Sequence, residues 1–597
     1  MKKLLLITTL LILASVTPSW TANWYTRPYR AGTPYGTADG LSYANAKEGL
    51  GNLTYGEGAI LPGDTVWICD IHGYTHSATV SFANTEKTTV TQNNVFFRGD
   101  SDNAPDTAAH GHDGVIWGTV TFVKGSTGMT VAPYGTNVYY TTYGAGIPAE
   151  SNIFQDGSPM NLPHKTLSHP PTQAELESFS PGDFGIDLTN TYLYARPLDA
   201  NPATAHDWQL CNSVGWRFHV DGYSDTRIRS VTIHGTQILV IDAPNTIVEY
   251  CTVDWGDTGI FFWGDCSGSI AQFNTVTKCA NGIYAACNPN HTPPTYSNNL
   301  TFANNLVNYN SPGIRMGTDD GHGLALQYGS GHIIRNNKVV GHSIGAAIYC
   351  DATNPTEDFS FQVYSNFIYD SIQLSNGSFG HGISVFGQPP DSSGNNINGN
   401  IYNNIIHNCK WAGLVVFCPN KTGSLLEVYN NTIDSCHNGM FTYDTGTTPG
   451  IKLTLKNNIF SNMADKGEYS GWPVGLIWKS GTGTVNITSD YNCFYPATDN
   501  CFLWQNTPTA ISYATWKDVS HVNGDVDSIT TNPLYFNGSG VFSADTDYQI
   551  PGTSPCFRTG TPMVLTTDYF GNPRGLIPDI GAYSIRRTGA AVGAKQN

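Results

Sequence analysis

Two Gly-His-Gly triplets, Gly321-His322-Gly323 and Gly380-His381-Gly382, each stand immediately before a short apolar run. The acid pair Asp319-Asp320 leads into the first triplet, and Asp351 lies between the two. Histidine donates and accepts protons near neutral pH. Two carboxylates held close together are driven apart in pKa, so one serves as acid while the other stays ionised. This is the equipment for hydrolysing a glycosidic bond, which uses a carboxyl pair separated by roughly 5 to 9.5 Å. The candidate catalytic groups are therefore Asp351, Asp320 and Asp319, with His322 and His381 orienting or polarising them. Arg315, on the stretch before Asp319, is the nearby cation; it would neutralise the acid pair, or act as base in an elimination.

Such residues converge only if the chain repeats in register, and it does. A phrase of Asn, any residue and an aliphatic, followed by Gly and an apolar run, recurs at Asn274, Asn337, Asn404 and Asn431. The same Asn returns at Asn305, Asn366 and Asn458. The apolar runs are too short for helices and alternate as strands do, while Asn and Gly supply sharp corners. Repeats in the twenties to thirties of residues bury a core only by stacking, which makes the chain a solenoid. In register, each Asn sits about 4.8 Å from the next and passes amide hydrogen bonds along a ladder.

The repeat resembles the right-handed parallel β-helix of pectate lyases, polygalacturonases and their bacterial relatives, over most of residues 213–490. The resemblance implies an all-β solenoid whose groove lies on the strands that follow the Gly. The phrase Gly380-His-Gly-Ile-Ser is similar to the Gly-His-Gly motif of polygalacturonases, where the His assists catalytic Asp residues. It implies His381 as the groove histidine and Asp351 or Asp320 as the acid. The match is partial: there is no Asn-Thr-Asp two coils earlier and no following Arg-Ile-Lys.

Counting along those strands gives two outward rows. One reads Trp263, Ala286, Gln327, Asp351, Phe386, Phe417, Tyr443; the other reads Phe261, Tyr284, Ala325, Tyr349, Ser384, Val415, Phe441. Aromatics flank a middle of small residues and one carboxylate. Outward rings suit stacking on the apolar faces of sugars, so Trp263, Tyr284, Gln327, Tyr349, Phe417, Tyr443 and Arg315 are the expected substrate contacts. His322 and His381 are expected roughly 10 Å apart, two strand spacings, with Asp351 near their midpoint.

The remaining chain divides readily. Met1-Lys-Lys and Leu4 to Leu13 form a signal peptide within residues 1–22, so export to the periplasm, cell surface or medium is expected. Residues 23–130 hold an N-terminal helical cap, a short helix from Ser42 through Gly49, and the first coils. Pro-rich residues 131–212 read as a small β-rich insertion. Residues 213–490 are the main β-helix, and 491–597 are C-terminal coils with a closing segment. No other stretch is apolar and long enough to span a membrane.

Charge and cysteines narrow the partners. A formal charge of −17, with only 29 Lys and Arg, repels nucleic acid. A polysaccharide is the expected partner of a monomeric chain. No cofactor is indicated, although Asp254, Asp257 and Asp265 offer oxygens suited to Ca²⁺. Of 13 cysteines, Cys279, Cys287, Cys350, Cys409, Cys418 and Cys436 fall at inward positions, as buried small hydrophobes; a Cys409–Cys436 disulfide between neighbouring strands is the alternative. Three functions stay open: a glycoside hydrolase, a polysaccharide lyase acting on a uronic-acid glycan, and a glycan-binding or adhesive solenoid without catalysis.

Overall fold

The computed structural model describes residues 21–585 apart from a number of connecting segments; those flanking the groove are 309–320, 342–344, 353–357, 372–379, 388–395, 418–422 and 444–449. Residues 1–20, which hold most of the signal peptide expected over 1–22, lie outside the described residues.

Period-2 alternation makes each short run a strand with one face inward. Among the described residues these strands assemble into three long, largely parallel sheets of 13, 15 and 12 strands. One coil visits each sheet once: Thr258–Trp263, Ile270–Gln272 and Thr275–Thr277 are followed by Asn281–Ala286 on the first sheet again. Parallel crossovers of this kind are right-handed, and the molecule is a right-handed parallel β-helix. Its interior is a stack of like residues. Ile260, Ile283, Leu324, Ile348, Ile383 and Leu414 pair in sequence across the 13-stranded sheet, and all are fully buried.

The corner between the 15-stranded and 12-stranded sheets is held by the asparagines. Nδ2 of Asn274 donates to Oδ1 of Asn305 at 3.1 Å, Asn305 to Asn337 at 2.9 Å, Asn337 to Asn366 at 3.0 Å and Asn366 to Asn404 at 2.9 Å. The chain of bonds continues through Asn431 and Asn458 to Asn492. It begins at the backbone N–H of Cys251 and ends on Ser528 Oγ, which accepts from Asn492 N. The left-handed residue at this corner is not the ladder Asn but the one before it: Phe273, Asn304, Asn336, Ser365, Asn403, Asn430 and Asn457 all have φ between 53° and 58°. The ladder Asn must keep φ negative so that its amide points inward. Nor is the repeat Gly a left-handed corner. Gly282 and Gly382 lie so close to the next coil that an added Cβ would stand 2.3 Å from the carbonyl oxygens of Gly323 and Gly413 respectively. They are small because strands pass there in contact.

Both ends are closed. Ser42 does cap a turn, accepting from Asn45 N, but the helix is one 3-10 turn, Tyr43–Asn45. It stops short of Gly49 because Lys47–Glu48 pairs as a strand with Thr26 and Arg27. At the far end the one-turn helix Tyr513–Trp516 seats the buried Trp516 on Phe502, ring centroids 4.8 Å apart. Residues beyond about 530 do not end the stack. They run back over the ladder corner, where Asn403, Asn430 and Asn457 donate to the carbonyls of Thr567, Asp579 and Thr561.

Between the early coils and Trp216–Asp221, the chain leaves the solenoid. Val120–Lys124, Asn152–Gln155, Ser158–Pro159 and Asp207–Cys211 form one small sheet, and Tyr139–Thr142 with Tyr192–Ala195 anchors another. No helix of the described residues is long and apolar enough to cross a membrane.

Candidate functional site

The outer face of the 13-stranded sheet carries the two predicted rows. In the row of Phe261, strand pairing aligns Phe261 with Tyr284, Tyr284 with Ala325, Ala325 with Tyr349, Tyr349 with Ser384 and Ser384 with Val415. In the other, Trp263 pairs with Ala286, Gln327 with Asp351, Asp351 with Phe386, Phe386 with Phe417 and Phe417 with Tyr443. Next after Phe441 comes Trp478, which counting on the sequence missed because residues 462–474 separate Gly475–Ser480 from the Asn458 phrase.

The aromatic rings are arranged differently from the expectation of open faces. They stack on one another along the solenoid. Phe261 lies 5.5 Å from Tyr284 at 9°, Phe386 lies 4.5 Å from Phe417 at 15°, and Phe417 lies 5.0 Å from Tyr443 at 8°. Residues one above another every 4.8 Å or so bring flat rings into contact with their own neighbours first. What faces outward is ring edge, plus the terminal faces of each stack. Trp263, beside the small Ala286, and Phe386, beside Asp351, are the terminal rings bounding the middle.

That middle holds Gln327 and Asp351. Asp351 is only 5% exposed and accepts from Gln327 Nε2 at 3.3 Å. Cys287 is its neighbour from an earlier coil: burial pushes that thiol's pKa up, and the negative charge of Asp351 pushes it further. Cys287 is half-buried, unlike Cys279, Cys350, Cys409 and Cys436 in the core. Cys409 and Cys436 are free thiols, with Cys436 Sγ accepting Cys409 N at 3.4 Å. Cys418 lies outside the described residues.

His322 and His381 stand two coils apart, as counted, but Asp351 is not midway between them. His381 pairs with Ala346, and the register of the preceding strand puts His322 at the same level. Ala346 is five residues upstream of Asp351, roughly 16 Å along the strand at ~3.3 Å per residue. The triplets open the strands, whereas the carboxylate closes one. The rings lie over the intervening residues: His322 stacks on Tyr349 with centroids 4.0 Å apart at 6°, and His381 Nδ1 is 2.9 Å from Ser384 Oγ. Tyr349 and Ser384 are themselves paired. One face of the sheet thus carries an imidazole-hydroxyl patch upstream and a carboxylate-amide patch downstream.

His322 also has a structural task. Its Nδ1 accepts the backbone N–H of Ala346 at 3.1 Å, so the ring proton of the neutral form sits on Nε2. Asn281 and Asn438 hold the same register position, and each accepts the backbone N–H of the coil that follows, from His322 at 3.0 Å and Gly475 at 2.9 Å. Asp319, Asp320 and Arg315 lie outside the described residues.

The acidic candidates for Ca²⁺ do not converge. Asp254 is on the 12-stranded sheet with Oδ1 2.7 Å from His234 Nδ1, while Asp265 follows a strand of the 13-stranded sheet and accepts from Ser267. Asp257 lies outside the described residues. Among the described residues no three His, Cys, Asp or Glu side chains group as a metal site.

Residues 201–368 match the family described as the right handed beta helix region. No curated protein matches the chain. Among solved structures it is similar to one titled a glycoside hydrolase, at 9% identity and a TM-score of 0.34, covering 81% of this chain and 96% of that one. It is also similar to the Agl-KA catalytic domain, at 11% identity and a TM-score of 0.22, covering 69% and 89% of the two chains. A third is the Pseudomonas phage phi297 tailspike gp61, at 10% identity and a TM-score of 0.20, covering 73% and 72%. None of these likenesses is close enough to transfer an activity.

Proposed function

We propose that this is an exported carbohydrate-active protein that holds a polysaccharide across the outer face of the 13-stranded sheet and hydrolyses its glycosidic bonds. The observation that carries the reading is the gap in one outward row between Trp263 and the Phe386 stack, filled by Ala286, Gln327 and Asp351. Ring edges and terminal ring faces suit the C–H surfaces of sugars, and an amide beside a carboxylate suits their hydroxyls. Neither outward row contains Lys or Arg in its described positions, which favours hydrolysis over elimination from a uronic acid, a reaction that needs a cation on the substrate carboxylate. Asp351 is one carboxyl of the pair, and Asp319 or Asp320 supplies the other. His322 and His381 orient the substrate upstream.

One observation favours a second reading, glycan binding without cleavage: Asp351 is buried and already engaged by Gln327. The test is incubation of the protein with neutral and uronic-acid polysaccharides. Hydrolysis releases reducing ends without the ultraviolet absorbance of a new C=C bond, and Asp351→Asn abolishes that release. Absorbing products move the assignment to elimination. Retained affinity with no product from any polysaccharide moves it to binding.

A further inference from the structure

A cleft of about 550 Å³ lies on another side of the molecule, between the outer face of the 15-stranded sheet and residues 564–571 of the returning C-terminal segment. We propose that this cleft is a second binding site, taking a neutral glycan. It is independent of the groove on the 13-stranded sheet, which it neither adjoins nor requires.

The floor is periodic. Tyr364, Tyr402 and Tyr429 pair across successive strands and stack at 4.8 Å and 5.2 Å with rings within 4° of parallel. Two residues before Tyr364 and Tyr402 on the same face stand Gln362 and Asn400, themselves paired. The Tyr402 hydroxyl donates to Gln362 Oε1 at 3.2 Å. The floor therefore offers phenol hydroxyls and side-chain amides, repeating at the strand spacing of about 4.8 Å, close to the length of a pyranose unit in an extended chain. Each of these groups both donates and accepts, as sugar hydroxyls do.

The opposite wall is preorganised. Arg574 is half-buried, desolvation holds its pKa down to about 10, and its guanidinium donates to Asn403 Oδ1 at 2.7 Å, Thr567 O at 3.2 Å and Gly581 O at 3.0 Å. Asn403 Nδ2 donates to Thr567 O from the sheet side at 3.0 Å. The segment is thus tied to the corner from two directions, and a site on fixed walls loses little entropy on binding. Val564, 97% exposed, places an apolar side chain at the mouth.

On the tyrosine row the cations stand only at the ends, where Arg335 pairs with Tyr364 and Lys456 with Tyr429. The lining contains no Lys or Arg to hold an anion. Its one carboxylate, Asp568, is buried and accepts the backbone N–H groups of Phe570, Asn572 and Ser584, so its charge is directed into the wall. The volume lies within the ~300–1,000 Å³ of small-molecule sites.

The experiment titrates the full chain with cellohexaose, xylohexaose, mannohexaose and maltohexaose by calorimetry, comparing the parent with Gln362→Ala/Asn400→Ala, Tyr402→Phe and Trp263→Ala. At least one hexaose binds; the double variant weakens that binding about tenfold or more, as loss of two hydrogen bonds requires. Tyr402→Phe, which keeps the ring stack, weakens it less; Trp263→Ala weakens the groove's own binding and leaves the response of residues 564–571 to the hexaose unchanged. Deuterium exchange of residues 564–571 slows with the hexaose in the parent and not in the double variant. The proposal is overturned if no hexaose binds, or if the double variant binds as the parent does. Binding lost only in Trp263→Ala removes the cleft and leaves the groove reading standing. Binding lost only in the cleft variants does the reverse.

Discussion

The asparagine corner and the groove face are built on the same register, yet one is uniform and the other is broken in the middle. At the corner every coil from Asn274 to Asn492 offers the same side chain, and each amide is used up by the coil before and the coil after. On the groove face the stack runs aromatic, then small and polar, then aromatic, with Gln327 and Asp351 in the break. A ladder that satisfies itself has nothing to offer a ligand. Where the repeat departs from that uniformity, neighbouring coils carry different polar side chains, and a pair such as Gln327 and Asp351 can be turned to chemistry.

The strongest test of the corner is Asn404→Leu. It removes the donor to Val363 O and Asn431 Oδ1 and the acceptor for Asn366 N and Nδ2, all buried. Unsatisfied buried amides predict a loss of about 4 kcal/mol in denaturant unfolding; an unchanged midpoint would mean that the coils are held by something else.

A histidine can serve a corner as well. His332 accepts Leu300 N at Nδ1 and approaches Tyr328 O through Nε2 at 2.7 Å, and burial holds its pKa down to about 4. The unfolded chain takes up this proton at about 6.5, the folded chain only near 4, so stability falls as pH drops through that window. The loss approaches ~3 kcal/mol near pH 4. His332→Gln should flatten that part of the profile in chemical denaturation measured at stepped pH.

In the groove, Asp351→Asn is expected to lower turnover at least about a hundredfold while melting like the parent. A variant that melts normally and turns over normally would reassign Asp351 to the structural class of the corner. Trp263→Ala removes a terminal ring face and should weaken glycan binding by about 1 kcal/mol; calorimetry that finds equal affinity would confine the aromatic stacks to packing.

An expected effect of similar size draws the boundary most finely. His322 accepts a backbone N–H as Asn281 and Asn438 do at the same level, so His322→Asn should keep that bond and cost only the stack on Tyr349, about 1 kcal/mol. A fall in turnover with unchanged melting would show that the imidazole does more than its neighbours in the row.

The solenoid was legible in the repeat, because stacking in register converts a local repeat directly into a three-dimensional one. Once Asn274 and Asn305 are recognised as equivalent, their contact follows, and so do the inward rows and the outward order from Trp263 to Tyr443. Much less of the site could be read from the repeat. Counting gave which coil each residue occupies, but the level of His322 and His381 at the strand start and Asp351 at its end depends on strand boundaries, and an error of five residues moves a group ~16 Å. That the rings face one another was not legible there, since stacking distance depends on rotamers and the neighbouring coil. The path of the C-terminal segment was equally hidden. Arg574 and Asn403 are 171 residues apart, no periodicity links them, and the wall they hold against the 15-stranded sheet exists only where non-repeating chain returns to the repeat.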